Sequence, residues 1–197
     1  MKRLPLLLLL AAVSANAVGP DDPAPAAAGT QQADLEREAA AIAEQLGQRL
    51  RAELQSAMNT GGPMAAIDVC HQRALPVTAE LAAQTGWQVG RTALRLRNPG
   101  NAPDAWERAV LEDFERRHAA GAEAATLSAA SVVQEGNSRR FRYMKAIGTA
   151  QPCTLCHGAA IQPALAEAIR ARYPADEATG FAPGALRGAF SLTKPLD

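Results

Sequence analysis

The segment Cys153-Thr154-Leu155-Cys156-His157 constrains this chain more than any other feature. It places two thiols and an imidazole within about one helical turn. Those are the groups needed to add two sulfurs to the two vinyl groups of haem and to bring a nitrogen to the iron from the same short segment. With 3 Cys and 3 His in 197 residues, a chance match of this kind arises about once in a thousand such sequences. The rival chemistries lack their other parts. A thioredoxin-like pair belongs near a βαβ pattern, and none is visible. A structural zinc site wants a second ligand pair, and only Cys70, His71 and His118 remain. The motif therefore implies one covalent haem c, with Cys153 and Cys156 as thioether anchors and His157 as the proximal ligand.

The compartment follows from the N-terminus and the cysteine count. Lys2 and Arg3 precede an apolar run from Leu4 to Val13, and Ala15-Asn16-Ala17 is a small-x-small cleavage site. Residues 1–17 read as a signal peptide, too short in its apolar part to span a bilayer. The expected location is periplasmic or otherwise exported, without membrane insertion. Removing 1–17 takes away Lys2 and Arg3 and leaves 18 basic against 20 acidic residues, a balance of −2. Such a chain has no overall pull toward nucleic acid. Three cysteines are an odd count for an oxidising compartment, unless Cys153 and Cys156 are consumed by haem and Cys70 stands alone.

Residues 18–33 are rich in Pro, Ala and Gly and read as a disordered linker, which leaves 34–197 as a single domain. A helix is expected over about 34–58, with Asp34 as N-cap and Leu35, Ala39, Ile42, Leu46, Leu50 and Leu54 at spacings of three and four. Thr60-Gly61-Gly62-Pro63 ends it. A second helix starts near Met64 with the stripe Ile67, Cys70, Ala74, Val77 and Leu81, and Pro76 should kink or restart it. Trp87 to Leu96 reads as a strand with Thr92, Leu94 and Leu96 on one face and Arg91, Arg95 and Arg97 on the other. Asp104 with Glu107 forms a capping box for a helix running to about Ala119. Runs 126–133 and 139–147 flank Glu135-Gly136-Asn137-Ser138 as a hairpin. Pro163 to Arg172 is a short helix, and Phe181 to Leu192 a last strand. This order favours α+β with an antiparallel sheet flanked by helices.

A sixth iron ligand could come from Cys70, His71, His118, Met58, Met64 or Met144. His118 ends a charged helix and reads as a solvated residue; the methionines read as core. Adjacent helical residues point about 100° apart, so only one of Cys70 and His71 can face an iron. Haem propionates need cationic partners, and Arg91, Arg95, Arg97 and Arg187 are the candidates, since a guanidinium matches a carboxylate.

Several segments resemble a known family when taken together. They are Ala65 to Cys70; Gly90 to Pro99 with Asn101, Pro103, Asp104, Trp106 and Glu107; Cys153 to Gly158; and Tyr173-Pro174, Asp176, Ala178 to Phe181 and Arg187 to Ser191. The chain over 34–197 resembles the single-haem c-type domain of the Tll-like cyanobacterial cytochrome, also found in bacterial sensor proteins. The resemblance implies a PAS-like fold around a six-coordinate haem, with His157 and Cys70 as the ligand pair. Ala93 stands where the family pattern has Ser, and Ala185 where it has Asp.

An exported haem domain could carry electrons, sense a ligand, or activate peroxide or oxygen. Filling the sixth position argues against the last, so the chain is not expected to be an enzyme. Sensing usually needs an output domain, and the chain stops at Asp197, soon after its last expected strand. Electron transfer or redox buffering with a partner protein is the first expectation, and a stand-alone sensor subunit the second.

Overall fold

The computed structural model describes residues 25–196; the expected signal peptide, the first part of the expected linker and Asp197 lie outside the described residues. The first element, α1 (Pro25–Thr85), is two helical arms joined at Gly62, where φ is 67° and ψ −161°. That conformation favours glycine, because a Cβ would crowd the following carbonyl. The Gly-Gly-Pro terminator thus becomes a hinge between arm 25–61 and arm 63–85. The arms lie side by side: Arg49 donates to Gln84 at 2.8 Å and Arg73 to Glu53 at 3.3 Å.

Two expectations for this region need correction. The helix begins at Pro25 rather than Asp34. Residues 26–28 are alanine, the strongest helix former, so they extend the first arm backward through what reads as linker. Pro76 neither kinks nor restarts the second arm, since Gly62 holds the only non-helical backbone inside α1. Pro76 and Gln72 are both exposed, so water can satisfy the carbonyl that Pro76 leaves without its helical donor.

Both arms pack on one face of a four-stranded antiparallel sheet of order β1-β4-β3-β2, made of β1 (Gln88–Thr92), β2 (Ser128–Glu135), β3 (Ser138–Gly148) and β4 (Leu186–Pro195). Ala39, Ile42, Ala43 and Leu46 of the first arm and Val77 and Leu81 of the second meet Trp87, Phe141, Tyr143 and Leu192. The period of the helical stripes is what lets a single hairpin bury both arms on one sheet face. The β2–β3 hairpin turns at Gly136-Asn137, as expected, and β2 and β3 pair from Glu135↔Ser138 to Ser128↔Lys145.

The opposite face carries α2 (Ala105–Ala119), through Leu111 and Phe114 against Leu127, Met144, Ala146, Leu186 and Ala189. Met144 belongs to this second core and is fully buried, so it cannot reach a cofactor on the α1 side. Beyond β3 come α3 (Thr154–His157), the short turn that carries the cysteine motif, and α4 (Pro163–Arg172). Leu165, Ala168, Ile169 and Tyr173 pack on Ile67 of the second arm, and Arg172 pairs with Asp68.

The first strand is shorter than expected. Pairing ends at Thr92↔Ala189, and the chain then turns away to lie along residues 176–181, where Glu177 N–H donates to the Leu96 carbonyl at 2.7 Å. Arg95 and Arg97 therefore sit on a loop and not on a strand face. The last strand starts at Leu186 rather than Phe181, because 180–181 is taken by pairing with the cysteine motif: Gly180 and Phe181 N–H donate to the carbonyls of Gly158 and His157.

The α2 capping box forms in full, with the Asp104 carboxylate accepting from Glu107 N–H at 2.8 Å and the Glu107 carboxylate from Asp104 N–H at 3.0 Å. Asp104 also pairs with the buried Arg142 at 2.7 Å. Burial opposes the charge on Asp104, but the bonds from Arg142 and the Glu107 amide prevail and hold its carboxyl below the usual range. Asp104→Ala should cost about 1–2 kcal/mol in urea unfolding at pH 7. Because the folded-state pKa is depressed, this stability is present above the unfolded carboxyl value of about 3.9 and lost as pH falls through the folded one. Wild type and variant should therefore converge in acid, and a difference that persists there would refute the assignment.

Candidate functional site

The cysteine motif sits at the end of the sheet where β1 and β3 finish and β4 begins. Its short helix, α3, ends at Gly158, where a Cβ would overlap the Thr154 carbonyl and only glycine fits. Cys153, at the N-cap, and Cys156 are both free, partly accessible thiols. Burial pushes the Cys156 thiol up, with Cys70 and Cys153 adding to the effect and Arg97 opposing it.

His157 is held from behind by the loop 176–181. Its Nδ1 lies 2.8 Å from the Ala178 carbonyl. A carbonyl only accepts, so Nδ1 carries the proton and donates, which leaves the lone pair on Nε2, where Arg97 Nη1 lies 3.5 Å away. Arg187 Nε also lies 3.3 Å from Nδ1, but a protonated Nδ1 cannot accept, so the shorter contact to Ala178 defines the tautomer. Burial, then Arg97 and Arg187, push the imidazole down to about 3. A neutral imidazole oriented through Nδ1, with its lone pair on Nε2, is what metal ligation requires, and Arg97 Nη1 would give way to the metal there.

Arg97 joins the pieces. It forms a fork on Asp176 at 3.0 and 3.1 Å and donates to the carbonyls of Cys156 at 2.6 Å and Ala178 at 3.2 Å. The two side chains are 13% and 4% exposed, so this is a buried ion pair. One guanidinium thus ties the 93–98 loop, the motif and the 176–181 loop together. Arg95 donates to the carbonyls of Glu177 and Thr179 and lies 4.5 Å over the Phe181 ring. Arg187 donates to the Arg95 carbonyl at 3.1 Å and covers Phe181 at 5.4 Å. Burial, and then Arg97, push its guanidinium down to about 10.

Across from the motif stands the second arm of α1. Ile67, Ala74, Val77 and Leu81 of its stripe are buried, yet Cys70, in the same stripe, is exposed. The thiol is nevertheless walled by protein atoms, since burial pushes its pKa up while Arg91 and Arg97 pull it down. Cys70 is near enough to Cys156 and Tyr173 to shift both by its charge. His71 is turned instead onto the Tyr173 ring, edge to face at 5.1 Å.

The structure thus gathers Cys70, Cys156, Arg91 and Arg97 within electrostatic reach of one another, and Arg97 in turn touches His157. Arg95 and Arg187 stand behind His157. Met64 is 47% exposed, and His118 Nδ1 lies against the Ala122 carbonyl at 2.8 Å on a groove of the first arm. Among the described residues, no group of three or more His, Cys, Asp or Glu side chains is placed to hold a bare metal ion. A haem iron would need single thiol or imidazole groups rather than such a cluster, and His157 and Cys70 are side chains here that could supply them.

Periodicity did not assign roles to Asp176, Ala178 and Phe181. They lie in an irregular loop, and their work is done largely by backbone carbonyls and amides, which leave no side-chain signature.

Fold and site together define a class: a single α+β domain that clamps a Cys-x-x-Cys-His turn opposite a cysteine-bearing helical hairpin. A family model described as Tll0287-like matches residues 28–195, and the chain belongs to the Tll0287-like family. The crystal structure of the cyanobacterial heme-protein Tll0287 is similar, with a TM-score of 0.60 and 30% sequence identity over 89% of this chain and 98% of that chain. No curated protein matches.

The Arg97–Asp176 pair yields a test. Arg97→Leu strands a buried carboxylate and frees two loops, and should cost about 3–5 kcal/mol in chemical denaturation. Arg97→Lys keeps the charge but not the fork and should recover only part of it. A loss from Arg97→Leu under about 1 kcal/mol, the worth of an exposed pair, would show that Arg97 is no clamp.

Proposed function

We propose that this chain is an exported monohaem c-type cytochrome that carries or buffers electrons for a partner protein, through a six-coordinate haem ligated by His157 and Cys70. The observation that carries the reading is the placement of Cys70: an open thiol on the second arm, within electrostatic reach of Cys156 in the Cys-x-x-Cys-His turn and of Arg97, which touches His157. Cys153 and Cys156 each add a thiol S–H across one vinyl group, giving two thioethers. His157 offers Nε2; burial, with Arg97 and Arg187, keeps it neutral, and the Ala178 carbonyl orients it. When bound, haem supplies one-electron redox chemistry. The relative Tll0287 is a heme-protein by its description, and the shared family supports the same cofactor here. The antiparallel sheet with helices on its faces supports a PAS-like reading of the fold. Among the described residues no helix is long and apolar enough to cross a membrane, and residues 1–17 direct export.

An anionic thiolate favours ferric over ferrous iron, so the potential should lie below that of Met/His cytochromes c. Held by both His157 and Cys70, the iron would have no position left for a substrate, which favours a carrier over a catalyst. A second reading, a redox or gas sensor in which Cys70 is displaced, is favoured by one feature. Cys70 rides on an arm hinged at Gly62, separate from the clamp that holds His157.

Two measurements test the proposal. Protein made with haem c maturation should stain for haem after denaturation, and its mass should exceed the mature chain by one haem. Colourless protein with a Cys153–Cys156 disulfide would overturn it. Cys70→Ala should convert the ferric spectrum from thiolate low-spin to high-spin or water-bound and raise the midpoint potential, while His71→Ala should leave both nearly unchanged. The reverse pattern would make His71 the ligand. Slow carbon monoxide binding to the ferrous wild type, by displacement of Cys70, would favour the sensor reading.

A further inference from the structure

Four arginines cluster at this end of the sheet, and three are committed. Arg97 is spent on Asp176 and two carbonyls, Arg95 on two loop carbonyls, and Arg187 on the Arg95 carbonyl. Arg91 differs. It lies in β1 opposite Phe190, in register with Val89 opposite Leu192, so its side chain leaves the sheet on the face covered by α1. Arg91 is partly buried, and burial depresses its pKa. No hydrogen bond or ion pair engages it among the described residues. The charged or titratable groups that act on it are Cys70 from the second arm and Tyr173 after α4, and it in turn acts on Arg187 from β4. No carboxylate is among them. A partly buried cation with no anion is a standing cost, and such groups are retained where a guest supplies the counter-charge.

We infer that Arg91 is the residue that pairs with a propionate carboxylate of the bound haem, forming a two-toothed guanidinium–carboxylate contact on the Cys70 side of the cleft. This deepens the function proposed above and rests on it. The planar fork of a guanidinium matches a carboxylate, and of the four arginines Arg91 is the one with no hydrogen-bond partner among the described residues. Arg91 is thus a cofactor-positioning residue, whereas Arg95, Arg97 and Arg187 hold the protein's own loops.

The test uses the haem-loaded full chain as wild type, Arg91→Gln, Arg91→Lys and Arg108→Gln. Arg108 is exposed on α2 beyond the opposite face of the sheet and controls for loss of one charge. Resonance Raman spectra report hydrogen bonding at a propionate through its bending band, and spectroelectrochemistry reports the midpoint potential. Arg91→Gln should shift the propionate band and lower the potential, because a positive charge near the haem favours the ferrous state. Arg91→Lys should restore most of the potential but not the band, and Arg108→Gln should change neither. Two results would overturn the inference. One is an unshifted propionate band in Arg91→Gln. The other is loss of the thiolate spectrum with the band unchanged, which would make Arg91 a partner of Cys70 alone. If Arg91→Gln does not accumulate, the propionate band of Arg91→Lys decides alone, and an unshifted band there refutes the inference. Absence of covalent haem from wild type would instead bring down the underlying reading of the function.

Discussion

The buried contact between Arg97 and Asp176 is the joint on which the site depends. Arg97 follows the strand that starts the sheet, Asp176 precedes the strand that enters it again, and the motif lies between them in sequence and in space. A guanidinium with its fork on Asp176 and further N–H groups on the carbonyls of Cys156 and Ala178 fixes three irregular segments at once. None of these segments has secondary structure that could hold it independently. A lysine could neutralise Asp176, but it could not reach carbonyls on two sides with fixed angles. The same loop that Asp176 anchors presents the Ala178 carbonyl to His157, so the ion pair indirectly decides which imidazole nitrogen is free.

The other wall of the cleft is placed by a different kind of force. The hairpin of α1 is held to the sheet by apolar packing along both arms, and Cys70 inherits its position from that stripe. Ile67 and Ala74 lie three and four residues to either side of Cys70 and are buried, which fixes the helix rotation and so fixes the direction of the thiol. A polar clamp on one side and a packed helix on the other make the cleft a junction between two independent constraints. Gly62 lets them meet, because it allows the second arm to fold back beside the first and come over β1.

Much of this was legible in the sequence, and the misses have common causes. The motif, the Gly-Gly-Pro break, the Asp104–Glu107 box, the β2–β3 turn and the bounds of α4 rest on local chemistry, and each stands where local chemistry puts it. The expected strand over 87–96 failed because β-like alternation continues past the point where a partner strand exists. Thr92 is the last residue with a neighbour on β4, and beyond it the chain pairs with a loop some eighty residues on, which periodicity cannot see. Pro76 misled for the opposite reason: its penalty falls on a carbonyl that faces water. The cationic face was read as a unit of four arginines because alternation made them one. Only the three-dimensional course of the chain separates Arg91, which stays on the sheet, from Arg95 and Arg97, which leave it.

Charge then explains why the cleft is more than a gap in the packing. Four guanidiniums and one buried carboxylate, with His157 held neutral, leave this end of the domain in positive surplus although the whole chain carries a net charge of 0. Surplus charge of one sign in a partly desolvated space opposes closure of the protein onto itself. It equally favours a guest that is anionic at its edge and apolar in its body, since the apolar cluster of Ile67, Leu165, Ile169 and Tyr173 adjoins the motif through Cys156. Any guest that binds the folded chain and not the unfolded one adds its binding energy to the stability of the fold. The free domain therefore keeps its rigidity in the sheet and the two cores, where no charge is buried unpaired at the site, and leaves the cleft end to be completed by what it binds. That division sets the thiols, imidazole and cations at the end of the sheet, outside the two apolar cores.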